Sequence, residues 1–165
     1  MSDKMIVVTL KKTKAVLGAL TRTSAGLPAV EDVVGEGFVA RLDGEADNFS
    51  VPAAELELKE AELNAEAFTR PRLFSFDQGA VVKKSAPTVT ANAVEATITP
   101  TPAAPTGKMA IVIVDLGGSE TAKVFSAPTT GINPVTISLN GVPPGTRLVL
   151  ASIEGYGTVV SEVTF

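Results

Sequence analysis

From residue 88 to the end of the chain, short runs of β-branched and apolar residues alternate with clusters of turn residues. The longest run is MAIVIV, Met109 to Val114, a continuous apolar stretch of strand length. Such a run is typical of a strand that is covered on both faces or lies at the centre of a small sandwich. Together with the shorter runs on either side, it predicts about seven strands and an all-β sandwich.

Turn residues separate these strands. DLGGS, Asp115 to Ser119, predicts a turn after MAIVIV, and the next short strand is expected at Thr121 to Phe125. Two further groups of alternating residues predict strands, namely Val135, Ile137 and Leu139, and then Leu148, Leu150 and Ser152. A tight turn at Glu154 to Gly157 precedes the closing strand, Val159 to Phe165.

The stretch LNGVPPGTRL, Leu139 to Leu148, forms a corner between two of these strands. Pro143 and Pro144 fix φ and remove two backbone donors, so the preceding strand must end there. Gly145 permits a turn conformation that a Cβ would disfavour. The corner is therefore a strand terminator.

The stretch from Val135 to Phe165 resembles the last three strands of a fibronectin type III domain, an immunoglobulin-like sandwich in which an apolar-x-Pro-Gly-Thr corner joins the two sheets. AVEATITPTP is similar to that family's second strand and KMAIVIVDLGG to its third. The resemblance covers Ala86 to Phe165. It departs from the family in lacking the large aromatic of the second strand and in placing Leu148 where the corner tyrosine usually stands. The resemblance implies a sandwich fold for this half.

The first half of the chain predicts a small β-rich or α+β domain. Five runs are expected to be strands, namely Met5 to Leu10, Ala15 to Thr21, Gly37 to Leu42, Leu73 to Phe76 and Ala80 to Lys83. The last two bracket a hairpin turn at Asp77 to Gly79. The segment VPAAELELKEAELNAEAF favours helix by propensity, and we expect a short helix over Ala53 to Ala65. Leu56 and Leu58 also share a strand face, so a strand is the alternative.

Composition changes at KKSAPTVTANAVEATITPTPAAPTG, Lys83 to Gly107, where Glu95 is the one charged residue after the lysines. One interpretation is a long linker. We favour a connection limited to Lys84 to Pro87, because a long structureless segment inside a compact chain is uncommon. The sequence therefore predicts a mainly β protein with two domains, a β-rich assembly domain at 1–84 and a sandwich at 85–165.

Composition excludes several classes of chemistry. Cys and His are both absent, which removes disulfides, thiolate nucleophiles, imidazole bases and Cys/His metal sites. A net charge of −4 argues against a nucleic-acid partner or an acidic membrane. No apolar run approaches the roughly 20 residues of a membrane span. Lys11, Lys12 and Lys14 interrupt the N-terminal apolar run before it reaches the length of a signal-peptide core, so we expect synthesis in the cytoplasm.

Catalysis would have to rely on carboxylates, Lys, Ser, Thr or Tyr156. The acidic residues lie mostly in turns and in the run from Glu55 to Glu66, where a solvated face accounts for them. No Ser lies in a G-x-S-x-G elbow. We therefore expect no catalytic residue, no cofactor and no enzymatic activity.

Two motifs resemble ligand loops. Asp43 to Asn48 places side-chain oxygens at alternate positions, but Asn48 stands where a calcium loop requires glycine and Ala54 where it requires an acid. Gly117-Gly118 follows a strand as in a phosphate loop, but SETAKVF after it is too short and too β-branched for the helix that such a loop requires. Turns explain both motifs, and no metal is expected.

A two-part β protein without a visible active site is similar in architecture to the structural and decoration proteins of tailed bacteriophages. This similarity implies a non-enzymatic role in a multi-copy particle, a virion capsid or tail, with the same chain and other structural proteins as partners. We predict that the N-terminal strand and the lysines after it dock on a partner by strand addition. The residues of this predicted interface are Ile6, Val7, Val8, Leu10, Lys11, Lys12 and Lys14. The alternative is that the strand is an ordinary member of the sheet.

A binding module is the alternative function. In that case the loops around Gly117 and Tyr156 would recognise a glycan or polymer on the host surface. Tyr156 lies between two glycines at a turn and is the one polar aromatic residue of the chain. Packing of Tyr156 on its neighbours is the competing interpretation.

Overall fold

Antiparallel strands are the main secondary structure of the chain, as predicted. A computed structural model describes residues 3–22, 26–35, 37–41, 48–117 and 122–165. Within these ranges the protein is mainly β, with fourteen strands and two α-helices of five residues each. Neither of the two has the length or the apolar character that a membrane crossing requires.

Seven strands and both α-helices lie in the described residues of the first half, 1–84. The strands are β1 (Lys4–Leu10), β2 (Val16–Thr21), β3 (Gly37–Arg41), β4 (Asn48–Pro52), β5 (Leu56–Glu62), β6 (Phe74–Asp77) and β7 (Ala80–Lys83). The helices are α1 (Val30–Val34) and α2 (Ala65–Thr69), with single 3-10 turns at Ala53–Glu55 and Pro71–Leu73. Strand β1 is the middle of a three-stranded sheet in the order β2-β1-β5, while β3 pairs with β4 and β6 with β7.

The helix predicted over Ala53 to Ala65 is wrong. After the turn at Ala53–Glu55 the chain forms β5, which pairs with β1 from Lys4 opposite Glu62 to Leu10 opposite Leu56. The alternative strand pattern holds, because Leu56 and Leu58 are both buried. Pairing with β1 and burial of these leucines outweigh helix propensity, which is a weak preference.

The second half, residues 85–165, contains the seven expected strands. They are β8 (Thr88–Ala91), β9 (Glu95–Thr99), β10 (Met109–Val114), β11 (Lys123–Pro128), β12 (Val135–Ser138), β13 (Thr146–Ile153) and β14 (Val159–Thr164). Strand β11 begins and ends later than predicted, and Thr121 lies outside the described residues. Three strands form a sheet in the order β12-β9-β8, and four form a sheet in the order β11-β10-β13-β14.

An apolar core lies between these two sheets. It is built from alternate positions of their strands, chiefly Ala96, Ile98, Ala110, Val112, Val114, Val135, Ile137, Val149, Ala151, Ile153 and Val163. Leu139 is also buried there, so the inward alternation predicted for Val135, Ile137 and Leu139 is confirmed. Antiparallel sheets that pack on one face bury every second residue in this way.

The opposite face of the four-stranded sheet is buried against the first half. Ile111, Ile113 and Leu150 belong to one cluster with residues of β1, β2, β4 and β5: Ile6, Val8, Leu10, Leu17, Phe49, Val51, Leu56 and Leu58. Strand β10 is therefore covered on both faces, which explains why MAIVIV is continuously apolar. The two halves share this core.

A third cluster covers the other face of β1. Met5 and Val7 pack there with Val16, Ala61, Ala67 and Phe74, which come from β2, β5, α2 and β6. The chain is thus a stack of layers that runs from the β12-β9-β8 sheet, through the β11-β10-β13-β14 sheet and the β2-β1-β5 sheet, to α2 and the β6–β7 hairpin. Strand β1 lies near the middle of the stack.

Polar contacts join the halves at several points. Ser152 Oγ donates to Thr13 Oγ1 at 2.8 Å, and both residues are fully buried. The backbone N–H of Ser50 donates to Asp115 Oδ2 at 2.8 Å. Thr158 N–H donates to Arg72 O at 2.9 Å, and a Cβ on the preceding Gly157 would approach the same Arg72 O to 3.2 Å.

The corner at Pro143 and Pro144 joins the two sheets of the second half. Strand β12 ends at Ser138 in the three-stranded sheet, and β13 begins at Thr146 in the four-stranded sheet. Gly145 has φ of 129°, and its N–H and C=O both pair with Phe165, at 3.0 and 2.9 Å. The predicted corner between the two strands is confirmed, but β12 ends five residues before Pro143, so the prolines are not what ends the strand.

The buried hydroxyl pair between the halves predicts a non-additive pair of substitutions. We expect Thr13→Val to lower the free energy of unfolding by about 1–3 kcal/mol, because it leaves the Ser152 hydroxyl buried without an acceptor. Adding Ser152→Ala to Thr13→Val should restore part of that loss, since both partners are then apolar. Urea unfolding of the two single variants and the double variant measures this, and simple additivity would contradict it.

Candidate functional site

Strand β1, predicted as a docking edge, is not an edge. It pairs with β2 on one side and with β5 on the other. The four apolar residues named for docking are all buried: Ile6, Val7, Val8 and Leu10. The alternative, an ordinary sheet member, is what the structure has, and the strand has no free backbone edge for a partner.

The three lysines after β1 contact the chain itself. Lys11 Nζ donates to Ala54 O at 2.9 Å, and Lys12 Nζ donates to Ser126 Oγ at 3.2 Å, which links the β1–β2 turn to β11. Lys14 Nζ lies 2.5 Å from Glu57 Oε1. These lysines hold the β1–β2 turn in place, and their predicted contact with an acidic neighbour stays a prediction.

Gly117 and Tyr156 do not form one surface. Strand β10 pairs antiparallel with β13, so that Ala110 is opposite Ile153 and Val114 is opposite Val149. Gly117 follows one end of this pair and Tyr156 the other, and roughly 13 Å of strand separates the two ends. Gly117 and Tyr156 therefore do not form one joint surface, and recognition of a ligand by either loop stays a prediction.

Tyr156 is a core residue. Its side chain is 8% exposed and belongs to the cluster between the two sheets. Its hydroxyl donates to Pro102 O at 2.6 Å, as buried tyrosines usually require. Gly117 is exposed, with φ of 72° and its N–H bonded to Asp115 Oδ1, which is the geometry of a turn.

The two motifs that resembled ligand loops are mostly outside the described residues. This applies to residues 43–47 of the calcium-like pattern and to Gly118 of the double glycine. In the part of the chain that the structure does describe, no group of three or more Asp or Glu side chains is placed to hold a metal ion.

A polar cleft of about 310 Å³ lies where the two halves meet. Five segments line it: the end of the β1–β2 turn, β5, the β6–β7 hairpin, the start of β10 and the β13–β14 turn. The lining residues are Lys14, Lys59, Ser75, Phe76, Asp77, Gln78, Lys108, Glu154 and Gly155. The five segments are separated from one another in the sequence, so no local sequence pattern could identify the cleft.

Backbone contacts fix Lys14 at the edge of this cleft. Lys14 has φ of 61°, a left-handed conformation that costs a residue with a Cβ about 1 kcal/mol. Its N–H donates to Leu10 O at 2.9 Å, and its carbonyl accepts from Phe76 N–H at 2.8 Å. Ser75 Oγ donates to the same carbonyl at 3.3 Å. The β6–β7 hairpin therefore holds the turn that presents the Lys14 side chain.

Opposite charges alternate around the cleft. Glu57 lies between Lys14 and Lys59, whose Nζ atoms are 2.5 and 3.2 Å from its carboxylate oxygens. Burial raises the pKa of Glu57, but hydrogen bonds from the two lysines outweigh it and leave the pKa below its usual value. Lys108 pairs with Glu154 at 3.4 Å on the other side. A ligand rich in hydroxyl groups would find donors and acceptors side by side here, next to the ring of Phe76.

Comparison with known proteins assigns no family to this chain. No family model, no curated protein and no solved structure matches it. A proposal for its function therefore rests on the surfaces and sites of the chain itself.

The left-handed backbone at Lys14 predicts an unusual order of stabilities. In urea unfolding, we expect the free energy of unfolding of Lys14→Gly to exceed that of Lys14→Ala by up to about 1 kcal/mol, because glycine adopts a positive φ without strain. Both variants lose the ion pair with Glu57, so their difference reports the backbone alone. The matched control is Lys11, where alanine should be the more stable of the two. Lys14→Ala equal to or more stable than Lys14→Gly would contradict the prediction.

Proposed function

We propose that the chain is a non-enzymatic structural protein of a large multi-copy assembly, most specifically a decoration protein of a virion capsid or tail. In this proposal it is made in the cytoplasm, docks on the particle through its first half, and projects a fibronectin type III-like sandwich. Its partners are other structural proteins of the particle and further copies of itself.

The order of strands in the second half supports the sandwich part of the proposal. In the immunoglobulin-like arrangement, strands A, B and E share one sheet and strands C, F and G the other. Strands β8, β9 and β12 correspond to A, B and E, while β10, β13 and β14 correspond to C, F and G. The remaining strand, β11, joins the C-F-G sheet beside β10.

The packing of one half on the other carries the proposal. The first half covers the outer face of the β11-β10-β13-β14 sheet through Ile111, Ile113 and Leu150. The outer face of the β12-β9-β8 sheet, at the far side of the stack, has no such cover within the described residues. A sandwich held rigidly at one face and free at the other suits a module that projects from a surface.

Strand β7 takes the place of β1 as the proposed docking edge. It pairs with β6 alone in the described part of the chain, and Val82 is 37% exposed on it. Among the side chains that the structure describes, the exposed large apolar ones of the first half are Leu20, Leu27, Leu63 and Val82. A free strand edge with an apolar side chain fits docking by strand addition.

Incorporation into particles tests this proposal. Co-expressed with the particle proteins encoded beside its gene, the full chain should be present in many copies per purified particle, and Val82→Lys should lower that number about tenfold or more. The control is Val94→Lys, at a 61% exposed site of the second half, which should incorporate normally. Absence of the native chain from the particles would overturn the function, and normal incorporation of Val82→Lys would overturn the docking edge alone.

A glycan-binding module is the second candidate, and the polar cleft is the observation that favours it. Lys108 and Glu154 of the second half line the cleft together with Ser75 and Gln78 of the first half. If the cleft binds glycans, an array of bacterial surface glycans should retain the native chain but not Lys108→Ala. Lys123→Ala, at the far end of the sandwich, should bind as the native chain does. No retention of the native chain would eliminate this candidate.

A further inference from the structure

Two residues of the polar cleft have a backbone conformation that residues with a Cβ rarely adopt. Within the described residues, Lys14 and Gln78 are the two non-glycine residues with a positive φ, at 61° and 49°. Both line the cleft. Strained residues of this kind cluster at ligand-binding sites, where the surrounding structure holds them in place.

The hairpin turn does not itself call for glutamine at position 78. Gln78 is the first of the two central residues between β6 and β7, and Gly79, with φ of 87°, is the second. A two-residue turn with positive φ at both positions is a type I′ turn, in which asparagine or glycine is the usual first residue. Gln78 instead places a longer side-chain amide, with both donors and an acceptor, at the cleft.

Three lysine ammonium groups converge on the cleft from segments that are distant in the sequence. Lys14 comes from the β1–β2 turn, Lys59 from β5, and Lys108 from the residue before β10. Lys14 and Lys59 share one carboxylate, that of Glu57, whose oxygens lie 2.5 and 3.2 Å from their Nζ atoms. Because one carboxylate carries one charge, one positive charge is left over on this side of the cleft.

The other charges at the cleft occur in pairs. Asp77 Oδ2 lies 3.4 Å from Lys84 Nζ, and Glu154 Oε1 lies 3.4 Å from Lys108 Nζ. The charged lining residues and the partners named here therefore comprise four lysines and three carboxylates. They carry one positive charge in a chain whose net charge is −4. A concave site with a surplus of one sign attracts ligands of the other sign.

Uncharged groups complete the cleft. The half-buried ring of Phe76 offers an apolar surface on which a sugar ring can lie, and the Gln78 amide offers partners for sugar hydroxyls. The volume of about 310 Å³ is at the lower end of the range of small-ligand pockets, about 300–1,000 Å³. The cleft therefore has room for a short stretch of glycan and not for a long one.

We propose that the cleft binds a sugar unit that carries a carboxylate, such as a uronic acid within an acidic polysaccharide. This inference rests on the glycan-binding function given above as the second candidate and names its ligand class. The sugar carboxylate accepts from Lys14 and Lys59, since each ammonium group has three donors and Glu57 uses one of them. The sugar ring lies on Phe76. One surplus positive charge matches a carboxylate better than a phosphate monoester, which carries nearly two negative charges.

Isothermal titration calorimetry on the full chain tests the ligand class. We expect the chain to bind trigalacturonic acid about tenfold or more tightly than its trimethyl ester, in which each carboxylate is uncharged. Raising the salt concentration from about 50 mM to about 500 mM should reduce this difference, because salt screens charges at a solvent-exposed site. Sodium acetate should bind more weakly than trigalacturonic acid by a similar factor, because it has a carboxylate but no sugar ring.

Two glutamates of β5 provide matched variants. Glu57 and Glu60 are each shared by two basic side chains, but the partners of Glu57 line the cleft and those of Glu60 do not. Glu57→Gln should therefore bind trigalacturonic acid about threefold or more tightly than the native chain, a gain that loss of structure cannot produce. Glu60→Gln should bind as the native chain does. Lys59→Gln should weaken binding about tenfold, whereas Lys4→Gln should not change it.

The remaining outcomes separate the ligand class from the function. No binding of trigalacturonic acid, equal affinity for the acid and its ester, or weaker binding by Glu57→Gln would overturn the inference. Acetate that binds as tightly as trigalacturonic acid would also overturn it, because the site would then recognise an anion without its sugar. If the glycan array retains the native chain on neutral glycans alone, the inference fails and the glycan-binding function stands. If the array retains no native chain, both fail.

Discussion

The apolar contact between the four-stranded sheet and the β2-β1-β5 sheet is the interaction on which the rest of the structure depends. Ile111 and Ile113 meet Val8 and Leu10 across it in one cluster. Because β10 is buried on both faces, it must be apolar at every position, and the sandwich core on its other side cannot shift without moving the first half. The position of the cleft, the free face of the sandwich and the course of the connection all follow from this contact.

Local patterns in the sequence were sufficient for the second half but not for the first. The seven strands of the sandwich follow from alternation and turn residues, which act over a few positions, and so does the corner at Pro143 and Pro144. Strand β5 was predicted as a helix because its Glu, Lys and Ala residues favour helix, whereas its pairing with β1 is a contact distant in sequence. The central place of β1 is likewise a property of sheet order, which no local pattern states.

Site prediction had the same limit. The sequence shows that Gly117 and Tyr156 both lie in turns, but it does not show that the antiparallel pairing of β10 with β13 puts these turns at opposite ends of the sheet. The cleft escaped prediction because Lys14, Lys59 and Lys108 come from separate segments. The cleft concentrates ion pairs where the two halves meet, whereas the three strands of the β12-β9-β8 sheet at the far side of the stack carry one charged residue, Glu95.

The position of Gly157 disfavours domain swapping between copies of the chain. It lets the β13–β14 turn lie directly on the connection between the halves, where its N–H bonds Ser85 O and the neighbouring Thr158 N–H bonds Arg72 O. Domain swapping requires such a connection to open, so that one half can pack on another molecule. Because the connection is hydrogen-bonded to the β13–β14 turn of the same chain, we expect the two halves of each copy to pack on each other rather than on another molecule.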